Sequence, residues 1–176
     1  MKLLLLARDG VINSGTPFGD WQEKFEPLTD SLEAIATATR EGVRCVAFAH
    51  LSDHRPHRVD VEQVNTLHLA MLGAVSELGG RLEAIIYCPH ERDAGCDCHS
   101  PTEGILAQLL DRLKLPASEI GLVTTRADEL SLAREIGALP ILIAPSGRAT
   151  SGVDTRNAVV VSDMGKIVDY AVKKPS

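Results

Sequence analysis

The chain has 176 residues and a formal charge of −6, because 24 aspartates and glutamates outnumber 18 lysines and arginines. That acidic balance argues against a nucleic-acid or membrane-surface partner, since either would need a clustered basic face. With 44% hydrophobic residues, the chain can build one domain with a substantial core over residues 1–176, but it is short for two domains.

The N-terminus, MKLLLLARDG, begins with a short apolar run. Four leucines are too few for a secretory signal or a membrane span, and an Arg-Asp pair ends the run. We therefore expect a buried β-strand here and a cytoplasmic protein, in which thiols stay reduced. Clustered cysteines in that compartment point to a metal site or to catalysis before they point to disulfides.

Apolar runs alternate with helical periodicities along the rest of the chain, without a linker or repeat that divides it. The predicted strands cover residues 2–6, 43–49, 84–87, 120–123 and 139–144, with a weaker one over 158–161. The predicted helices cover 32–40 (capped by Asp30 or Ser31), the apolar stripe from Val61 to Leu78, 100 to about 113 (opened by a capping box over 100–103), 128–136 and 166–172.

This alternation is typical of an α/β fold in which a parallel sheet is covered on both faces. Most of the predicted strands are uniformly apolar, as expected when both faces of a sheet are buried. Functional sites in such folds lie at the carboxyl ends of the strands, so the residues that follow each strand carry the functional prediction.

A cluster of metal-ligating residues follows the third predicted strand, and it consists of Cys88, His90, Cys96 and Cys98. Three thiols and one imidazole form a set that closes a tetrahedral zinc site. The alternative is a loop of reactive thiols without a metal, but such thiols oxidise readily and a Cys96–Cys98 disulfide is awkward. Four protein ligands leave no position for water, so the sequence predicts a structural zinc that staples a loop over residues 88–98.

The first strand runs into the segment ARDGVIN over residues 7–13. This segment is similar to the DxDG(T/V)xN motif of the haloacid-dehalogenase-like phosphatases. It resembles the form found in the D-glycero-D-manno-heptose-1,7-bisphosphate phosphatase family and its histidinol-phosphatase relatives. Those proteins also carry a C-P-H…C-D-C-R-K-P zinc loop, which is similar to Cys88-Pro89-His90 followed by Cys96-Asp97-Cys98. The match runs from residue 1 to about 147, and the last thirty residues resemble no family.

The resemblance implies a three-layer Rossmannoid fold of the haloacid-dehalogenase type, with a zinc-stapled loop and without a large cap domain. It also implies hydrolysis of a phosphomonoester. In that chemistry an aspartate attacks phosphorus, a second carboxylate two residues later serves as acid and base, and Mg²⁺ is bound by carboxylates. Asp9 keeps the acid/base position. Glu129 is a weak remnant of the Mg²⁺ site.

At the other positions that the resemblance assigns to catalysis, this sequence has different residues. The nucleophile position is Ala7, and the Mg²⁺-binding aspartate after the fourth strand is replaced by Thr125. Ser100 stands where the family has the lysine that holds the phosphoryl group, and Ala49 stands where it has a threonine after the second strand. Because charge stabilisation is usually the largest catalytic contribution, these losses are expected to remove turnover.

The sequence therefore predicts a catalytically impaired homologue, a pseudophosphatase with a structural zinc that binds a phosphosugar or a protein partner. Losses at several separate positions favour natural decay over one engineered change. The alternative is an active sugar-bisphosphate phosphatase, in which Asp9 would serve as general base for direct attack by water. Zinc is the expected cofactor, and the losses put Mg²⁺ in doubt.

Three histidines, His50, His54 and His57, crowd the segment after the second predicted strand. A solvated polar loop is the favoured interpretation, with a divalent-metal or anion site as the alternative. The sequence leaves the role of this loop, the oligomeric state and the role of the last thirty residues open.

Overall fold

The computed structural model describes residues 1–14, 25–50, 61–88, 90, 96–99, 104–144 and 154–173. Within these ranges six strands form one sheet in the order β3-β2-β1-β4-β5-β6, and all neighbouring strands are parallel. The strands are β1 (Leu3–Ala7), β2 (Arg44–His50), β3 (Ala84–Cys88), β4 (Ile120–Thr124), β5 (Leu139–Ile143) and β6 (Val159–Val161). The α-helices are α1 (Thr29–Arg40), α2 (Val61–Glu77), α3 (Ile105–Leu113), α4 (Glu129–Glu135) and α5 (Met164–Lys173).

The central strand β1 is buried along its whole length. Its residue Leu6 lies beside Ala47 of β2 and beside Val123 of β4, so apolar strands flank it on both sides. The chain builds outward from β1 to β3 and then returns to the other side of β1 with β4. In open α/β sheets, ligands bind at the carboxyl ends of the strands at such a reversal, which here lies between β1 and β4. The parallel α/β architecture predicted from the sequence is confirmed.

Helix α1 begins earlier than predicted and without the predicted cap. It starts at Thr29, and no side chain caps its first turn. Asp30 and Ser31 lie inside the helix, where Ser31 is buried, so the predicted capping role is wrong. The start is set instead by Leu28, whose N–H donates to the carbonyl of Ile12 in the loop after β1.

Helix α2 buries most of the predicted apolar stripe, with Val64, Leu67, Met71 and Val75 all on its buried face. Val61, Leu72 and Leu78 are 51%, 36% and 46% exposed, so the prediction is wrong for these three residues. His68, in contrast, is buried with only 7% exposure. The buried face of the helix consists of Val64, Leu67, His68, Met71 and Val75.

The described part of the C-terminal segment completes the sheet and its helical layer. β6 pairs with β5, and α5 packs against α1. Ile167, Val168 and Ala171 of α5 are buried, so this helix belongs to the core. Among the described residues, no helix combines the length and the hydropathy that a membrane span requires.

Candidate functional site

The carboxyl ends of β1 and β4 bring the predicted catalytic positions together. Leu6 pairs with Val123, so the residues that follow the two strands face each other across this edge. Gly10 has a φ of +78°, and a Cβ atom built there would lie 2.4 Å from Oγ1 of Thr125. Because only glycine leaves room for that approach, Gly10 is required for the contact between the β1 loop and the position after β4.

The nucleophile position at the end of β1 holds a methyl group. Ala7 is 4% exposed and lies in register with Phe48 of β2. Ala49, where the family has a threonine, is 7% exposed at the end of β2. Neither side chain has an oxygen that could attack phosphorus or bind a phosphoryl group. Ser100 lies outside the described residues.

Asp9, at the retained acid/base position, forms a two-point ion pair with its neighbour Arg8. Nε of Arg8 donates to Oδ1 at 3.0 Å, and Nη2 donates to Oδ2 at 2.8 Å. The Arg8 side chain is 1% exposed, whereas that of Asp9 is 17% exposed. Asp9 is therefore the counter-ion of a buried guanidinium, because a buried charge without a partner is costly.

His68 of α2 completes this buried group. Its Nε2 lies 3.3 Å from Nη1 of Arg8, and its ring stacks obliquely on Tyr87 of β3 with centroids 5.2 Å apart. Burial, together with the charge of Arg8, lowers the pKa of His68 to about 4, although Asp9 acts in the opposite direction. The neutral ring can therefore accept the Arg8 N–H through the lone pair on Nε2.

We expect acid to weaken the fold through His68. Its pKa falls from 6.5 to about 4 on folding, so the stability it contributes is complete above pH 6.5 and is lost as the pH falls toward 4. A shift of this size corresponds to about 3 kcal/mol of unfolding free energy. Denaturant melts of wild type and His68→Gln between pH 7 and pH 4 measure the effect. Wild type should lose more stability than the variant, and parallel curves would contradict the assignment.

The other retained acidic residue, Glu129, lies at the start of α4 beside the end of β4. Thr124 donates its hydroxyl proton to Oε2 of Glu129 and accepts the backbone N–H of Arg126 at 2.9 Å. Nε of Arg126 lies 3.9 Å from Oε1 of Glu129 and 3.1 Å from Oδ1 of Asp128. Both carboxylate oxygens of Glu129 thus face donors or positive charge from their own chain.

The cysteine cluster predicted from the sequence comes together after β3. Sγ of Cys88 lies 3.6 Å from Sγ of Cys96 and 3.7 Å from Nδ1 of His90. Sγ of Cys98, in a 3₁₀ helix over Asp97–His99, lies 3.5 Å from the same nitrogen. All four ligand atoms lie within 4.8 Å of one another. The group could therefore hold a metal ion.

The acid–base chemistry of this cluster also bears on metal binding. Burial raises the pKa of the Cys88 thiol to about 12, and the sulfurs of Cys96 and Cys98 add to the rise. A metal would displace these protons, because metals bind the thiolate form of cysteine. The fourth cysteine, Cys45, is buried in β2 away from this group, as its strand position predicts.

Sequence reasoning did not identify the roles of Arg8, His68 and Arg126. A charged residue directly after the apolar run over residues 3–7 was the available signal for Arg8, since a cation at the end of a buried strand needs a partner. The structure describes little of the predicted histidine loop. His54 and His57 lie outside the described residues, and for His50, the last residue of β2, only the backbone is described.

Two proteins that are similar to this chain in sequence carry the same name. No protein-family model matches the chain. A protein from Pseudomonas putida is 31% identical over 144 residues, which cover 81% of this chain and 82% of that protein. A protein from Pseudomonas aeruginosa is 32% identical over 143 residues, which cover 81% and 80%. Both are named D-glycero-β-D-manno-heptose-1,7-bisphosphate 7-phosphatase.

A solved structure extends this similarity over nearly the whole fold. The D,D-heptose 1,7-bisphosphate phosphatase from Bordetella bronchiseptica, complexed with magnesium and phosphate, has a TM-score of 0.82 and 26% identity. The match covers 99% of this chain and 100% of that one. The corresponding phosphatase from Burkholderia thailandensis has a TM-score of 0.74 with 25% identity and the same coverage.

Proposed function

Because this chain belongs to the D-glycero-β-D-manno-heptose-1,7-bisphosphate phosphatase family of the haloacid-dehalogenase superfamily, we propose that it is a pseudophosphatase of that family. The observation that carries the proposal is Ala7, a buried methyl group at the end of β1. The family resemblance assigns this position to the aspartate that forms the covalent phosphoryl intermediate. A methyl group has no electron pair with which to attack phosphorus.

Among the residues that the structure describes, Asp9 is the carboxylate nearest to Ala7 in sequence, and its contacts do not favour it as a replacement for the missing one. Asp9 is two residues away, and both of its oxygens accept hydrogen bonds from Arg8. Two-point pairs of this kind are stronger than single neutral hydrogen bonds and fix the orientation of the carboxylate. An attack by Asp9 on phosphorus would give up the orientation that this pair fixes, and a proton taken up by Asp9 would remove the negative charge that faces the buried guanidinium. Asp9 therefore stabilises the β1 loop instead of transferring protons.

The second candidate is the active sugar-bisphosphate phosphatase, and the names of the relatives favour it directly. Both Pseudomonas proteins are named as phosphatases, so the comparisons support this alternative better than they support a pseudophosphatase. In this alternative Asp9 acts as general base for direct attack by water on a phosphomonoester. For the active phosphatase the ligand is a phosphorylated sugar, and for the pseudophosphatase it is a phosphorylated sugar or a protein partner. Under either proposal the protein is cytoplasmic and forms one domain over residues 1–176.

Zinc is the metal we propose for the cluster of Cys88, His90, Cys96 and Cys98. Ligands of a tetrahedral zinc ion lie roughly 3.4–3.8 Å from one another. Three of the six separations in this cluster, at 3.5, 3.6 and 3.7 Å, agree with that spacing, and all six are within 4.8 Å. Bound zinc would supply cross-linking of the loop to β3, not catalysis, because four protein ligands leave no position for water.

Phosphate release from an aryl phosphate tests the proposed loss of activity. We expect wild type with excess Mg²⁺ to release no more phosphate than a protein-free control. The reason is that the nucleophile and the electrostatic stabilisation of the transition state are both missing. The same assay with a chelator serves as a second control. Release that depends on Mg²⁺ and increases with protein concentration would contradict the pseudophosphatase and favour the alternative.

A further inference from the structure

Helix α2 presents an exposed stripe with large apolar side chains at its centre. Leu69 and Leu72 are 70% and 36% exposed, and the exposed residues Asn65 and Ser76 continue the stripe toward the two ends of the helix. Their spacing places all four on one face, because an α-helix has 3.6 residues per turn. Ala74, on the opposite face, packs against the core. The stripe therefore points away from the body of the molecule, as an interaction surface does.

The segment that carries this stripe is uncharged. Residues 63–76 contain no aspartate, glutamate, lysine or arginine, and no other stretch of the sequence is as long without one. His68, within the stretch, is buried and keeps a neutral ring at pH 7, because its pKa is lowered to about 4. A basic partner, which a chain of charge −6 attracts elsewhere, finds no carboxylate on this stripe. A second copy of the chain can approach here without bringing like charges together.

The stripe lies beside an end strand of the sheet. α2 packs on β3, since the ring of His68 contacts that of Tyr87 at 5.2 Å and Val64 shares a hydrophobic cluster with Tyr87. Among the described strands, β3 pairs only with β2. Its sequence, AIIYC, contains neither a charge nor a proline, which are the usual means of blocking an edge strand. The other end strand, β6, is only three residues long.

A two-fold axis at this edge matches both features with themselves. In an isologous dimer, β3 pairs antiparallel with the partner's β3, and α2 lies antiparallel beside the partner's α2. The stripe is symmetric about its centre, with polar residues at 65 and 76 and leucines at 69 and 72. In the antiparallel arrangement Leu69 faces the partner's Leu72, and Asn65 faces the partner's Ser76. Apolar side chains thus meet apolar ones, and polar side chains meet polar ones.

We infer that the edge formed by α2 and β3 is a self-association surface, through which a second copy of this chain binds in an antiparallel, two-fold arrangement. The dimer continues the sheet from one copy into the other and buries Leu69 and Leu72 of both copies. The inference goes beyond the proposed function and does not depend on it, because the stripe and β3 contain no residue assigned to catalysis. Its test measures mass and amide exchange, not phosphate release.

Sedimentation velocity at protein concentrations from about 1 to 200 μM tests the inference. At the upper end of this range we expect wild type to have twice the 18.9 kDa mass of one chain. L69E/L72E should raise the dissociation constant of the dimer about tenfold or more, because it brings carboxylates together at the axis. The matched control is Val172→Glu on α5, where the apolar residue is 43% exposed but lies away from this edge. It should change the dissociation constant by less than about twofold.

The antiparallel arrangement has its own variant and its own readout. L69K/L72E places opposite charges across the axis, so its dimer should be about tenfold tighter than that of L69E/L72E. Backbone amides of β3 should exchange more slowly as the protein concentration rises, whereas those of β6 should not change. Wild type that stays monomeric over the whole concentration range would overturn the inference. Equal association of wild type and L69E/L72E, or of the two double variants, would also overturn it.

Discussion

Asp9→Asn is expected to lower the free energy of unfolding by about 3–5 kcal/mol, the usual cost of removing one partner from a buried ion pair. Arg8 is 1% exposed, and its guanidinium would keep its charge after the substitution. The asparagine side chain can accept only one of the two hydrogen bonds and carries no negative charge. Urea denaturation at pH 7 measures the change.

Two further variants separate this effect from a general sensitivity to substitution. Asp154→Asn removes a solvent-exposed partner of Arg156 and should leave the urea midpoint unchanged, because exposed pairs contribute little. The double variant Arg8→Met/Asp9→Asn removes both charges and should recover part of the lost stability. If Asp9→Asn lowers the free energy of unfolding by less than about 1 kcal/mol, the ion pair does not stabilise the β1 loop.

Loss of a metal from the cysteine cluster is expected to lower the thermal stability of the protein. Cys96→Ser should lose bound zinc and lower Tm by about 6–12 °C, if the metal contributes about 3 kcal/mol to a chain of this length. The cause is loss of the cross-link between Cys88 at the end of β3 and the 3₁₀ helix that carries Cys98. Elemental analysis and scanning calorimetry of protein purified without chelator measure the two quantities.

The matched control for that experiment is Cys45→Ala. Cys45 is a buried cysteine of β2 outside the cluster, so the variant should keep one zinc per chain although it removes a thiol. Wild-type protein that contains no zinc, or whose Tm does not change when a chelator removes the zinc, would refute the structural-metal proposal.

The sheet could be predicted from the sequence because its strands are buried on both faces. β1 is a continuous apolar run, and such a run indicates a strand that is buried on both faces of the sheet. The cluster of cysteines could be predicted for a related reason, since Cys88, Cys96 and Cys98 are close in sequence and need no long-range information. The alanine at position 7 could be compared with the family's aspartate because the motif around it is contiguous.

The contact between Arg8 and His68 could not be predicted from the sequence, because the two residues lie on distant elements. His68 lies on α2, sixty residues beyond Arg8, and only the packing of α2 on the sheet brings them to 3.3 Å. The same packing turns Val61 and Leu72 outward, which the apolar spacing of α2 did not reveal. The start of α1 likewise depends on a contact between Leu28 and Ile12, not on a capping residue.

The measurement that tests the central claim most directly is phosphate release from D-glycero-D-manno-heptose 1,7-bisphosphate in the presence of Mg²⁺. The Bordetella bronchiseptica phosphatase, assayed at the same protein concentration, provides the positive control. We expect wild type to be indistinguishable from a protein-free blank, because Ala7 cannot form the covalent intermediate. Release that increases with protein concentration, and that a folded Asp9→Asn variant abolishes, would contradict the pseudophosphatase and establish Asp9 as a catalytic base.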